Sequence, residues 1–414
     1  MSRPKRITRR GFVQRATAAL AGPMIVRASA LGRQGRKPPS DRITLGYIGM
    51  GGRAGAHLGL GRGRDAQMVA VCDVMKSRRD RVQDNGVAKY GDFRELLARD
   101  DIDAVVITTP DHWKPIHVVE AAKAGKDIFC EKPISRTIHE AKVMRDTVRR
   151  CGRIFQTGTQ QRSSGEFRFA GEMVLSGRIG RIKTVKVSIG GPSRDCYLPE
   201  EPVPAELDWN MWLGPAPWRP FNRRIAYGGC GAWSQYRDYA GGWINEWGAH
   251  SIDSAHWALG MDDSGPVEVL PPDRKDVKHL TWRYPNGVVL YNDGRMSLGR
   301  DAIVFEGTEG RISVGRGYLQ TWPASLKTRP TGPQEVHLYR SPGHHADWLR
   351  SIRTRARSGS DIAYTCRSMV ACHLGNLAHW LGRPIKWDPV REQFVGDDVA
   401  ARWIDRPRRQ PWTL

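Results

Sequence analysis

A doubly wound α/β fold, followed by a second domain of α+β type with an open, mainly antiparallel sheet, is predicted by three features of the sequence. Apolar, β-branched runs alternate with helix-length stretches from residue 42 through residue 157, the first run breaks into a glycine-rich turn, and hairpin-spaced strand-like runs follow. With 414 residues and 40% hydrophobic content, the chain has the length and apolar material for two packed domains.

The first segment is excluded from that fold. Thr8-Arg9-Arg10-Gly11-Phe12 matches a twin-arginine export signal, and the apolar run from Ala16 to Ala30 ends in Ala28-Ser29-Ala30, which suits cleavage after small residues. A signal peptide over 1–30 and a linker over 31–41 are expected, with the twin-arginine machinery as partner and a periplasmic or other extracytoplasmic destination. No later stretch has the ~18 consecutive apolar residues of a membrane span, so none is expected in the mature form. Part of the formal net charge of +22 sits in the leader, and the remaining basic residues are scattered without a nucleic-acid motif. That pattern predicts a solvated basic surface and no nucleic-acid partner. The seven cysteines are odd in number and show no CxxC spacing, so they suggest no zinc knuckle or redox pair. Unpaired thiols in an exported chain agree with folding in the reducing cytoplasm before export.

The fold proper opens with "RITLGYIGMGGRAGAHL", a strand breaking into Gly49-x-Gly51-x-x-Ala54 and then a stretch that can open a helix. Such glycines let the backbone turn sharply and approach a pyrophosphate. The next strand, "AQMVAVCD", ends in Asp73, where a dinucleotide fold places the carboxylate that accepts from the adenosine ribose. Gly49, Met50, Gly51, Gly52, Arg53 and Asp73 are therefore expected to bind the cofactor. NAD is favoured, with NADP as the alternative because Lys76, Arg78 and Arg79 follow Asp73 closely. "DIDAVVITTP", "DIFCEKP" and "RIFQTG" read as further strands, with "PIHVVEAAKAGK" and "TIHEAKVMRDTVRRCG" as the helices between them. Ligands of such sheets bind beyond the carboxyl ends of the strands. Thr109, Pro110 and His112 of "TTPDHW" and Glu131 and Lys132 of "EKP" lie at two of those ends.

"TTPDHW" and "EKP" in this order after the glycine loop, with "FQTGTQQRS", "LDWNMWLGPAP", "GGWINEWGAHSIDSAHWALG", "FEGTEGRISVGRG" and "GRPIKWDPVREQFVGDDVAARW", resemble the glucose–fructose oxidoreductase/inositol dehydrogenase/rhizopine-catabolism (Gfo/Idh/MocA) family over nearly the whole mature chain. The resemblance implies a Rossmann dinucleotide domain over 42–160, with Gln160 among its cofactor contacts. Over 161–414 it implies a substrate and oligomerisation domain, whose open sheet walls the substrate on one face and often pairs subunits through the other, making a homo-oligomer the expectation. The runs "IKTVKVSIG", "HLTWRYP", "GVVLYNDG", "AIVFEGTEG" and "RISVGRG" are hairpin-spaced in agreement.

Oxidising a carbinol needs a base for the hydroxyl proton and a donor for the developing alkoxide. The family's lysine in "EKP" implies that Lys132 is the donor. The base is then His250 in "NEWGAHSID", where Glu246 stands in place of the family's usual aspartate. A carboxylate four residues ahead of a histidine can share its helical face, orient the ring and raise its pKa. His112, His117, Glu246, His250 and His256 lack metal-ligand spacing, and His344-His345 reads as lying apart before a helix, so no metal is expected. Seven of the fifteen tryptophans fall between Trp209 and Trp257. Aromatic faces stack on sugar rings, which with the resemblance predicts a carbohydrate or polyol substrate. Arg162, Tyr236, Arg237 and Asp238 are candidates for its polar wall, and Asp253 for contact with the substrate or with His250. The expected activity is hydride transfer to NAD(P). Redox-neutral elimination, hydrolysis or epimerisation through transient oxidation is the alternative, and a non-catalytic sugar binder a third.

Overall fold

The computed structural model describes residues 41–273, 275–295 and 302–414, so the predicted leader and nearly all of the linker lie outside the described residues. Residues 43–414 form one compact unit. Six strands, β1 (Ile43–Ile48), β2 (Ala66–Cys72), β3 (Ala88–Tyr90), β4 (Ala104–Ile107), β5 (Asp127–Cys130) and β6 (Phe155–Thr157), build an all-parallel sheet in the order β3-β2-β1-β4-β5-β6. The helices of ten or more described residues are α1 (Lys114–Lys123), α2 (Ile138–Arg150), α3 (Gly165–Leu175), α4 (Gly242–Leu259), α5 (His344–Thr354) and α6 (Ile362–Leu381).

Strand alternation sends Val105, Ile107, Ile128 and Cys130 into one core, shared with Ile116 and Val118 of α1 and Met144 of α2. Leu45, Tyr47, Val106 and Phe129 enter a second core. That core is closed by Trp348 and Leu349 of α5, which returns from the far end of the chain. The helix expected after the glycine loop is shorter than predicted: a 3-10 turn at Gly52–Ala56 and a four-residue turn at Leu58–Gly61. Glycines at 52, 55 and 59 disfavour a regular helix there. Helix α2 is the opposite case. Thr137 accepts from the Glu140 N–H while the Glu140 carboxylate reaches back, forming a capping box.

The second sheet has nine strands: β7 (Ile182–Val187), β8 (Glu268–Leu270), β9 (Leu280–Arg283), β10 (Val289–Asn292), β11 (Ile303–Gly307), β12 (Arg311–Gly315), β13 (Tyr318–Trp322), β14 (Ile385–Asp388) and β15 (Gln393–Phe394). Their order is β13-β12-β11-β7-β10-β9-β8-β14-β15. β9–β10 and β11–β12 are the hairpins the spacing predicts. β7–β10 is parallel, which makes this mainly antiparallel sheet a mixed one. Ile252 and Ala255 of α4 and Met369 and Leu374 of α6 share a core with Val187, Leu290 and Phe305 of the sheet. Gly248 lets α4 approach α6 closely, since a Cβ there would sit 2.7 Å from Cys372 Sγ. Among the described residues no helix is long and apolar enough to cross a membrane, and all seven cysteines are free.

Candidate active site

Strand order reverses at β1, so the carboxyl ends of β1 and β4 open a crevice between them. Gly49 leaves β1 with φ +89°, and a Cβ there would lie 2.8 Å from Thr109 Cγ2 and 2.9 Å from the Thr109 nitrogen. Only glycine fits that turn. Thr108 Oγ1 donates to the Gly49 carbonyl across the same contact (2.5 Å). At Gly51 a Cβ would meet only Arg78, 3.7 Å away, and at Gly52 nothing within 4 Å. The outer part of the loop is thus open to a ligand. Asp73, buried at the end of β2, accepts from the Met50 N–H (2.6 Å) and the Met75 N–H (2.9 Å), locking the loop in place. Burial pushes its pKa up, against Arg78 and those two N–H groups.

A cleft of about 430 Å³ runs from this loop past Asp73, Thr109 and Pro110. Met211, Trp212, Ala226, Cys230 and Trp233 also line it; the two tryptophans belong to the group expected to face a sugar, and the other three were not foreseen from the sequence. Of the residues expected to bind the cofactor, Met50, Glu131, Lys132 and Gln160 are not among those lining the cleft, whereas Gly49, Gly51, Gly52, Arg53, Asp73, Thr109 and Pro110 line it. His112 does not. It is buried against Trp212 and Tyr239, with Nε2 on the Trp212 carbonyl (3.0 Å), because the helix turn beginning there directs it to the aromatic core. Trp113 and His117, one turn apart and stacked at 4.8 Å, face the cleft instead. Of the basic residues after Asp73, only Arg78 faces the cleft. Lys76 pairs with Asp80, and Arg79 donates to the Asp73 carbonyl (2.6 Å).

Glu131 and Lys132 follow β5 and face different partners. Glu131 receives Arg53 Nε (2.7 Å) and His57 Nε2 (2.8 Å), while His57 Nδ1 meets His345 (2.9 Å). The pair His344-His345 therefore does not lie apart: it joins this group at the start of α5. Burial would raise the Glu131 pKa, but His57 and Arg53 outweigh it and hold the carboxyl well below the usual range. Gly158 permits this packing, since a Cβ there would sit 2.6 Å from Glu131 Oε2. Gln160 sits beside it, between the Gly158 carbonyl (2.7 Å) and the Arg316 guanidinium (3.2 Å).

Lys132 Nζ lies 2.6 Å from Glu246 Oε2. Burial lowers the lysine pKa, but Glu246 more than reverses this, and the amine stays charged. The loop carrying it is pinned from below by a residue the sequence reading missed. Buried Lys114 donates to the carbonyls of Lys132 (3.1 Å) and Pro133 (2.8 Å) and to Asp111 (2.8 Å). Trp247 lies 5.9 Å from the Lys132 amine and stacks with Trp243 at 6.4 Å.

The expected service of Glu246 to His250 is corrected. Glu246 Oε2 is taken by Lys132, its Oε1 has no partner, and His250 Nδ1 is likewise buried without one. The His250 pKa is pushed well down, first by burial and then by the charges of Lys132 and Arg316, whereas Glu131 works the other way. The ring is neutral.

Arg162 and Asp253 are also not a substrate wall. Arg162 binds Asp253 (2.7 Å) and the half-buried Asp262 (2.6 Å), and Asp253 accepts from Ser368 (2.9 Å); Arg162, Asp253 and Ser368 all lie beneath the surface. An arginine so buried needs carboxylates, and these supply them. Tyr236 is buried in a cluster with Leu207, Trp209 and Tyr239. Asp238 faces a separate cavity, as does Arg237. Of the seven tryptophans, Trp209, Trp212 and Trp257 are buried, Trp218 is exposed, and Trp233 lines the cleft.

Residues 43–159 match the description "Oxidoreductase family, NAD-binding Rossmann fold" and residues 191–414 "Oxidoreductase family, C-terminal alpha/beta domain". The chain is 31% identical over 170 residues to myo-inositol 2-dehydrogenase of Thermotoga maritima, covering 40% of this chain and 48% of that one. It is 30% identical over 277 residues to levoglucosan dehydrogenase of Pseudarthrobacter phenanthrenivorans, covering 61% and 66%. The match thus spans half to two thirds of those relatives. Its fold is similar to that of the WlbA dehydrogenase from Bordetella pertussis, solved with NADH and UDP-GlcNAcA (TM-score 0.60, 17% identity, 84% of this chain and 99% of that one).

Proposed function

Because the chain belongs to the Gfo/Idh/MocA oxidoreductase family, we propose that it is an NAD-dependent oxidoreductase acting on a hydroxyl of a carbohydrate or polyol. The observation that carries this reading is the charged Lys132 amine, paired with Glu246 just past the carboxyl end of β5 in the sheet that bears the glycine loop. The open space at Gly51 and Gly52 and the polar end of β2 at Asp73 fit a dinucleotide. Gly49 through Arg53, Asp73, Thr109 and Pro110 would hold it. NAD, when bound, supplies the hydride acceptor. Lys132 would hold the substrate oxygen as negative charge develops on it. His250, kept neutral by burial, would take the hydroxyl proton, and Glu131 is the nearby charge that favours the protonated ring. Trp243 and Trp247 offer apolar faces to a sugar ring. The inositol and levoglucosan named for two relatives support this substrate class.

We place the activity outside the cytoplasm on the strength of the leader. A chain exported already folded would carry its cofactor with it, and a residence time of hours needs a dissociation constant on the order of 10⁻¹⁰ M. That setting, lacking a nicotinamide supply, requires the hydride to be returned in place, either to a second sugar acting as acceptor or to the same substrate. Native mass spectrometry of the mature protein should find one NAD per subunit in a homo-oligomer; an empty site would contradict retention. The NAD-loaded protein, given a panel of aldoses, inositols and anhydrosugars, distinguishes the two chemistries. Product with rising absorbance at 340 nm marks net oxidation, and product without it marks the redox-neutral path. No conversion of any member would overturn the reading.

A further inference from the structure

A second cavity, of about 340 Å³, lies where the start of α2 meets the end of α6 and the segment around Arg406. Arg136, Arg237, Arg402 and Arg406 line it, against Asp238 and Asp405. Three of these six charges are already matched. Arg237 pairs with Asp195 (2.6 Å), Arg406 with Glu140 (2.9 Å), and Asp405 with Arg408 (2.6 Å). Arg136 differs. It is only 8% exposed, and its Nε donates to the Arg237 carbonyl. Among the described residues its guanidinium has no ion pair and no other hydrogen bond. Arg162 and Arg178, comparably buried, each face a carboxylate. A buried cation without a counter-ion is costly, and proteins ordinarily provide one.

Other features keep the charge in place and concentrate it. Arg136 and Arg237 both lie over the Trp380 ring, at 5.5 and 5.6 Å. Burial first, and then the Arg406 charge, pushes the Arg136 pKa down to about 10, although Glu140 and Asp238, too far for an ion pair, act against this. The α2 N-terminus adds nothing, because Glu140 already caps it.

We propose that this cavity is a second ligand site, separate from the glycine-loop cleft, in which Arg136 and Arg402 bind a small oxyanion, the carboxylate or phosphate group of a small molecule. A planar guanidinium fork matches either group with paired hydrogen bonds. Asp238 at the cavity wall opposes the anion and limits its affinity.

The test is calorimetric titration of the full-length protein with sodium glucuronate, glucose 6-phosphate and inorganic phosphate, with glucose and potassium chloride at matched ionic strength as controls. At least one oxyanion should bind where glucose and chloride do not. Arg136→Met should weaken it about tenfold or more, and Asp238→Asn should tighten it. Binding should persist with NAD saturating. Glucuronate alone binding assigns a carboxylate ligand; the two phosphates alone binding assigns a phosphate. If Arg136→Met does not fold, Asp238→Asn and the surface change Arg402→Ala carry the test, tightening and weakening binding respectively. Heats equal to those of chloride, displacement by NAD, or affinities unmoved by these substitutions would overturn the proposal.

Discussion

The side chain of Lys132 is 16% exposed and that of its counter-ion Glu246 only 3%. Removing one partner of such a pair strands the other, at a cost of about 3 kcal/mol. Glu246→Gln should therefore lower thermal stability and also lower the Lys132 pKa, since the carboxylate is what raises it. Glu246→Asp, one methylene shorter, should fail to reach the amine at its present 2.6 Å and lose activity, although aspartate is the family's usual residue. Undiminished turnover in Glu246→Asp would show that the pair is not needed. Lys132→Ala should reduce turnover by about 10²–10³-fold with NAD affinity nearly unchanged. For His250, a depressed pKa means that the neutral ring persists to lower pH. The activity profile should stay flat from pH 8 down through 6.5, and an inflection near 6.5 that vanishes in His250→Asn would contradict the burial argument. Lys132 was legible from "EKP". The partner of Glu246 was not, because helical spacing says that 246 and 250 share a face but not which residue 114 positions away claims the carboxylate. Arg162 and Asp253 show the same limit: in sequence, a buried ion pair and a substrate contact use the same letters.

Within the glycine loop, two neighbouring glycines should separate fold from ligand. Gly49 has a positive φ and packs on Thr109, so Gly49→Ala should destabilise the chain itself, by about 1–3 kcal/mol. Gly51 has room for a side chain in the protein alone, so Gly51→Val should fold with near-normal melting temperature yet lose NAD binding. Equal melting losses in the two variants, or NAD binding retained by Gly51→Val, would contradict this division. The strands of the first sheet were legible because each is a short apolar run ended by a turn signal. The helix after the loop was overread, since three glycines shorten it. The parallel pairing of β7 with β10 was beyond sequence patterning, which fixes a strand's faces but not its distant neighbour.

Across the whole molecule, buried histidines set the acid limit. Burial pushes His112, His117 and His373 down to about 3, His256 to about 4, and His250 well below its ordinary value. The unfolded chain protonates these five near pH 6.5 and the folded one does not, so their contribution is complete above that pH and is lost as pH falls toward 4. Each withdraws about 1.4 kcal/mol per pH unit in that window. Asp111, raised to about 7 by burial, acts in the opposite sense, as do Asp73, Asp253 and Asp361, whose carboxyls burial also raises. The melting temperature should fall steeply between pH 7 and 5, as scanning calorimetry would record; a constant value would contradict the assignment. The closure of the first sheet by α5, nearly 300 residues from β1, was also invisible in the sequence, because amphipathicity marks a buried face and not what buries it. The reading of the whole chain as a hydride-transfer enzyme is tested most directly by a single-turnover stopped-flow trace at 340 nm. NAD-loaded protein would be mixed with each active sugar or polyol from the panel, in wild type and in Lys132→Ala. The account predicts an absorbance rise, transient or lasting, in the wild type and its near absence in a variant that still holds NAD. An equal rise in both, or conversion of substrate without reduced nicotinamide at any time, would contradict it.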